Sequence, residues 1–340
     1  MLKTFKQATL GLLKSSGASK LVQRSRWRRE RLLILAYHSF SLSDEHHWNG
    51  SQFMDPAVFQ HRMQALKKSG CTVLPLGEAV ARLYANDLPD CSVVLTFDDG
   101  TADFHQKALP ILEEFDLPAT LYLTTFYTEY NRPVFDLMCS YLLWKGRNKT
   151  LDLKKIAARE SRVDLHGKAA REAAHRDIFA FTRERKLSAE GKDALLAALA
   201  AQLHVDYEAL IAQRVMQNLT SDEVKLAAKS GVDIQLHTHR HRVPVDRELF
   251  AREIEDNRMS IQRMTGIKPV HFCYPSGVHH PAFLPWLKDL GVVSATTCET
   301  GLATRSSNPL LLPRMLDGSG LSAIEFEGWL TGASSVLPRR

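Results

Sequence analysis

The chain has 340 residues, of which 44% are hydrophobic and 24% charged, with 18 Gly and 14 Pro. That composition excludes a mostly disordered chain and a collagen-like one, and the length fits one large domain or two small ones. The formal net charge is +6, which permits an acidic partner without requiring one.

Residues 1–30 read as a polar, basic N-terminal arm. Arg24, Arg26, Arg28, Arg29 and Arg31 crowd into eight positions. Such a run suits a solvated arm or a peripheral contact with an anionic membrane through residues 24–31. Beyond the arm, basic and aromatic residues do not interleave into a platform, so no nucleic-acid partner is expected. Leu10, Leu12 and Leu13 stand among Lys and Ser with no small-residue cleavage site after them. No window reaches the ~18–20 apolar residues of a membrane span. The expected address is cytoplasmic. The cysteines at 71, 91, 139, 273 and 298 are odd in number and form no CxxC. They read as buried thiols in a reducing compartment, with a single bridge left open.

The first strand is predicted over 32–37, running into His38. A helix starts at Asp55-Pro56 and closes at Gly70, followed by a short strand at 72–74 and a helix over 77–86. Residues 92–97 give the strongest strand signal and run straight into Asp98-Asp99-Gly100. A helix over 104–115 and a strand over 119–123 follow. Residues 136–229 break this rhythm. They predict helices over 136–145, 151–159, 166–181, 189–200 and 206–217, with Ser221 capping the next. The rhythm then resumes with a strand over 232–236 ending at His237, a helix over 246–265 closed by Gly266, and a strand over 270–274. A helix over 281–289, a strand over 292–295 and a short element at 310–314 complete it. The tail is expected to fray after Trp329. Alternating strands and helices imply parallel strands with helical crossovers.

The polar residues cluster where these strands end. Asp98 and Asp99 follow one apolar strand, His237, His239 and His241 another, and His38 a third. Parallel sheets gather binding groups at the carboxyl ends of their strands. A lone Asp-Asp-Gly is often a turn, but two carboxylates beyond a buried strand are costly unless a cation or donor network holds them. Imidazoles and a carboxylate suit zinc or a similar divalent ion. His237 and His241 meet on one ion if the segment turns. His239 competes if it stays extended. The pattern points to metal-assisted hydrolysis.

Thr96-Phe97-Asp98-Asp99-Gly100 and His237-Thr238-His239-Arg240-His241 resemble the first two motifs of the polysaccharide deacetylases, the NodB-homology carbohydrate esterases. The resemblance extends from Tyr37-His38 through 118–120 and 272–277 to Leu312-Pro313-Arg314. It implies an irregular (β/α)7 barrel of the NodB-homology type with a helical insertion. The implied domain plan is an arm at 1–30, a catalytic domain over 31–320 including the insertion at about 136–229, and a tail over 321–340.

The resemblance implies removal of N- or O-acetyl groups from sugars; the expected reaction is hydrolysis of N-acetyl groups of a polysaccharide or oligosaccharide or, given the expected cytoplasmic address, a lipid-linked glycan precursor. Asp98 would be the general base. Asp99, His237 and His241 would hold one divalent ion, usually Zn2+, and His239 falls at a variable position. The later motifs depart from the family pattern. Cys273 stands where the third motif begins with Arg, and Arg314 lies where the fifth commonly supplies a His. Arg314 cannot donate a proton near neutral pH but can orient Asp98 or bind substrate. His38 is then a candidate acid, with His279 and His280 as alternatives, while His271 reads as structural. The Tyr274 backbone N–H is a candidate oxyanion donor, and Tyr37 and Trp286 are candidate sugar platforms or core residues. A non-sugar amide substrate and a catalytically impaired glycan-binding homologue are the competing readings.

Overall fold

The computed structural model describes residues 2–335 and 337, Glu160 excepted. The strand β1 (Arg31–Tyr37) shows how the core is layered. Leu32 and Ile34 point one way, Leu33, Leu35 and Tyr37 the other, and all five are buried. Burial on both faces is what a parallel strand covered by helices requires.

Six further strands follow: β2 (Val93–Phe97), β3 (Thr120–Leu123), β4 (Asp233–Leu236), β5 (His271–Cys273), β6 (Ser294–Thr300) and β7 (Leu312–Leu316). All seven run parallel in the spatial order β1–β7–β6–β5–β4–β3–β2. Pairing of Leu33 with Val93 through Tyr37 with Phe97 closes the ring. Leu32, Ile34, Val94, Tyr122, Cys273 and Leu312 meet in its interior. The other strand faces pack on surrounding helices. The fold is the expected (β/α)7 barrel with a helical insertion.

The helix Leu76–Ala85 sends Leu76, Ala79, Val80 and Leu83 into the interior cluster. Gly77 lies against His271, at the start of β5, where an added Cβ would come within 3.2 Å of the ring. This helix therefore plugs the amino-terminal end of the barrel, and the carboxyl end is left for chemistry.

The insertion carries its own core. Helices Phe135–Lys145, Lys168–Glu184 and Ala189–Gln202 bury Met138, Leu142, Ile178, Leu196 and Leu199 together. The helix predicted over 151–159 is instead an antiparallel pair, Thr150–Asp152 with Arg162–Asp164, joined through a short helix at Lys154–Ala157. The helix predicted over 206–217 ends at Ala212, and residues 72–74 make only a single bridge, Val73 to Val93. Thr220, not Ser221, caps Ser221–Lys229, with Glu223 completing a capping box.

Both ends of the chain depart from expectation. The basic lead-in folds into α1 (Leu2–Ser15), α2 (Ala18–Arg24) and a short helix at Arg26–Arg29. Leu10 is buried, and Arg28 is fully buried with its guanidinium on the carbonyls of Arg31, Ser92 and Leu330. Arg26 pairs with Glu30, and Arg31 lies over the Trp27 ring. The five arginines are therefore not one solvated run. The segment planned as a tail, 321–340, contains α3 (Ala323–Thr331), which ends two residues after Trp329; beyond Trp329, where fraying is expected, Leu330 and Ala333 are buried. Pro338-Arg339-Arg340 lies outside the described residues.

Cys71 and Cys91, read as thiols, are joined as a disulfide with a Cα–Cα distance of 4.7 Å. The parallel Val73–Val93 bridge explains this, because it places the residues two before each partner side by side. Cys139 and Cys273 are buried thiols and Cys298 is half-buried.

Candidate metal centre

The site grows out of the carboxyl ends of β2 and β4. Asp98 leaves β2 with its N–H on the Tyr37 carbonyl, and the chain then turns sharply. Asp99 has φ 72° and Gly100 has φ 76°. A Cβ on Gly100 would lie 2.3 Å from Leu123 Cδ1, so this turn needs glycine there. The turn splits the two carboxylates between two tasks.

Asp99 faces the mouth of the barrel. Its Oδ1 lies 3.2 Å from His237 Nε2 and 3.2 Å from His241 Nε2. The loop after β4 makes this possible. Thr238 and His241 adopt left-handed φ values of 62° and 53°, which curls the segment. Glu253, on the helix Arg247–Thr265, clamps the curl by accepting from Arg240 N and Arg242 Nε. The turn reading is thus the one the loop adopts. His239 points elsewhere, with Nδ1 2.9 Å from Thr125 Oγ1 and its ring against Phe126.

The ligand atoms of Asp99, His237 and His241 all lie within 4.8 Å of one another. His237 Nδ1 is 2.8 Å from the Cys273 carbonyl. A carbonyl only accepts, so Nδ1 carries the proton and Nε2 offers a lone pair toward Asp99. That is the arrangement by which proteins orient a metal-binding imidazole. One carboxylate and two imidazoles converging at the barrel mouth fit a divalent ion. Asp98, His237 and Cys273 form a second, overlapping group.

Asp98 is buried and faces the barrel interior, where Arg314 of β7 grips it. Nη1 donates to Oδ1 at 2.8 Å and Nη2 to Oδ2 at 2.7 Å. The same guanidinium donates to Thr96 Oγ1, the Thr297 carbonyl and Cys273 Sγ, and none of it is exposed. Burial favours the neutral acid at Asp98, but Arg314, helped by His38 and His237, outweighs it and holds the carboxyl at about 2. Asp99 is likewise penalised by burial; when His237 and His241 are protonated, their Nε2–H groups donate to it and hold it well below the usual carboxylate range, the role a bound ion would take over.

His38 lies beside this pair, with Nε2 3.7 Å from Asp98 Oδ2 and Nδ1 buried without a hydrogen-bond partner. Other sequence candidates fall away from the site. His279 and His280 bond within their own exposed loop, and His271 is buried on Ser294. The Tyr274 N–H donates to the Thr296 carbonyl at 3.2 Å and is engaged in the sheet, so it is not a free oxyanion donor. Tyr37 stacks on Phe97 and Trp286 packs with Phe250 and Phe283, so both are core residues.

Sequence reading missed three supporting residues. Gln52 Nε2 reaches Asp99 Oδ2 at 3.4 Å. Asn218 donates to the Asp99 carbonyl. Asn257 accepts from His237 N and donates to Leu123 O and Thr125 Oγ1, tying the ends of β3 and β4 to one helix. None sits in a recognisable local pattern, since each acts across a long sequence separation.

A closed parallel barrel with a carboxylate–imidazole cluster at its carboxyl end defines a candidate centre for a divalent ion. The polysaccharide deacetylase family model matches residues 85–295. The chain belongs to that family. YxkH of Bacillus subtilis (strain 168), a protein assigned to the polysaccharide deacetylases, is 33% identical over 95 residues. That stretch is 27% of this chain and 32% of YxkH, so the chain spans about a third of that relative's length. The fold is shared with the Streptococcus pyogenes deacetylase PplD in complex with acetate, at TM-score 0.57 and 21% identity over 87% of this chain and 96% of that one. IcaB from Ammonifex degensii is similar at TM-score 0.56 and 16% identity, over 89% and 97% of the two chains.

Proposed function

We propose that this chain is a zinc-dependent deacetylase that hydrolyses the N-acetyl group of a polysaccharide, oligosaccharide or lipid-linked glycan. The observation that carries the reading is the pairing of an Asp99–His237–His241 cluster with a separate, ionised carboxylate at Asp98. Asp99 Oδ1, His237 Nε2 and His241 Nε2 are the proposed ligands. An ion bound there would act as a Lewis acid toward the acetyl carbonyl and lower the pKa of water.

The remaining work falls to the chain. Asp98 is ionised at neutral pH and is the proposed general base, accepting a proton from the attacking water. Arg314 is the proposed positioning residue. Its bidentate grip leaves the carboxylate a single orientation. The leaving nitrogen needs a proton, and His38 Nε2 is the proposed donor because it opens toward Asp98 from a half-buried position. The absence of an Arg at Cys273 motivated the impaired-homologue reading. Arg314 brings a guanidinium to Asp98 from the opposite side of the ring closure, and that motive lapses.

The test is acetate release from soluble N-acetylglucosamine oligomers by zinc-loaded protein. Elemental analysis is expected to give about one zinc per chain, and Asp98→Asn to lower turnover by about 10^2-fold or more while keeping the zinc. Full zinc occupancy with no acetate release from any acetylated sugar tried would sink the deacetylase assignment.

A further inference from the structure

The positive charge of this protein is segregated. Residues 1–30 hold eight Lys and Arg against a single Glu, leaving 36 cationic against 37 acidic residues in the rest of the chain. The net charge of +6 therefore resides in the segment that folds into α1, α2 and the short helix after them.

That segment also has an unusual apolar surface. Leu10 of α1 is buried, close to where Gly328 of α3 passes. At about 100° per residue, Phe5 and Leu12 lie seven apart on one face and point away from Leu10. Phe5 is 69% exposed, Leu12 70% and Leu21 of α2 74%. They are the three most exposed large apolar side chains among the described residues. Lys20 and Arg24 are exposed on α2 beside Leu21, whereas Lys14 of α1 turns to the Leu10 side and pairs with Glu327. Apolar side chains bordered by cations are the signature of a helix lying in a membrane interface.

The neighbourhood of α1 supplies a third observation. A cavity of about 970 Å³ lies between Phe5, Lys6 and Thr9 of α1 and the loop after β7. Gly50 and Ser51 line it, and the next residue, Gln52, donates to Asp99. The cavity thus adjoins the exposed helix and the segment that runs into Gln52.

We propose that α1 and α2 dock this protein on an anionic lipid bilayer, with Phe5, Leu12 and Leu21 entering the headgroup–acyl boundary and their Lys and Arg neighbours facing the headgroups. Charge complementarity selects this occupant. Two copies meeting through the same face would bring their cations together. Resting on the deacetylase reading above, the substrate class follows: an acetylated glycan held at that membrane.

The experiment is co-sedimentation of the full chain with phosphatidylcholine vesicles, with and without phosphatidylglycerol. Wild type is expected in the pellet only with phosphatidylglycerol, and to move to the supernatant at high salt. Leu12→Ser/Leu21→Ser, whose positions do not line the cavity, is expected to lower the partition coefficient about tenfold or more. Its thermal melt and its acetate release from soluble oligomers are expected to stay at wild-type values. Wild type remaining in the supernatant at low salt overturns the proposal, as does a double variant that binds like wild type. A change of oligomeric state in the double variant, without vesicle binding by wild type, would assign the face to a second copy and also overturn it. Acetate release is read without vesicles, so failure of the docking and failure of the deacetylase reading give different results.

Discussion

At the residue scale, Asp98 and Arg314 show how a buried ion pair becomes a tool. Arg314 is fully buried and has six hydrogen-bonding contacts to oxygen and sulfur around it, so its desolvation is offset by geometry. Arg314→Met should leave Asp98 buried without its partner. We expect a loss of about 3–5 kcal/mol in a denaturant titration, and turnover lost beyond what the stability change accounts for. Asp103 behaves in the opposite sense. It accepts from Phe40 N and Thr101 Oγ1, but burial dominates and pushes its carboxyl up to about 7. The folded value lies above the unfolded value of about 4, so the fold favours the protonated form. Stability from this group is present below pH ~4 and is lost as pH rises toward 7. Asp103→Asn keeps the accepting oxygen and should flatten that slope, by up to roughly 4 kcal/mol between the two ends. Denaturation midpoints measured across that range check it, and identical slopes in the two proteins would refute it. Asp98, held at about 2, contributes in a separate window, losing its stabilisation only as pH falls below ~4.

At the scale of elements, the first thirty residues belong to the fold. Gln7 donates to Ser322 and Glu325, Leu10 packs near α3, and Arg28 bonds three backbone carbonyls. We expect Leu10→Ala to cost about 2–3 kcal/mol, and Arg28→Ala a similar amount, because each leaves a cavity or unsatisfied carbonyls. A melting temperature unchanged in both variants would contradict the packing described. The insertion was legible as helical from its Ala-, Lys- and Leu-rich composition, but its small strand pair was not. Three-residue strands such as Thr150–Asp152 carry too few positions for a period of two to emerge. The β2 strand was legible because Val-Val-Leu-Thr-Phe is continuous, β-branched and fully buried.

At the scale of the molecule, the barrel gathers four separate strand ends at one mouth while a helix closes the other end. The proposed ligands come from the ends of two strands, and the helix Arg247–Thr265 holds the second strand end and its loop through Asn257 and Glu253. A bound ion should therefore stabilise the whole barrel. At free zinc a hundredfold above its dissociation constant, linkage gives about 2.7 kcal/mol. We expect chelation to lower the melting temperature and re-addition of zinc to restore it, with His241→Ala insensitive to both. Among the described residues, no helix is long and apolar enough to cross a membrane.

The sequence by itself determined the alternation of strands and helices, the Asp98-Asp99-Gly100 turn and the histidine run that make the site readable. Those signals are local: a period of two or 3.6, a glycine where φ must be positive, polar residues at the end of an apolar run. Only the tertiary structure decided that His241 rather than His239 joins His237, that Arg314 grips Asp98, and that Cys71 meets Cys91. It also decided that Arg28 is buried while Phe5, Leu12 and Leu21 stay outside. Each of those outcomes depends on contacts between residues distant in the chain, or on which face of a helix another helix covers. Barrel closure and helix docking set such contacts, and no local pattern encodes them.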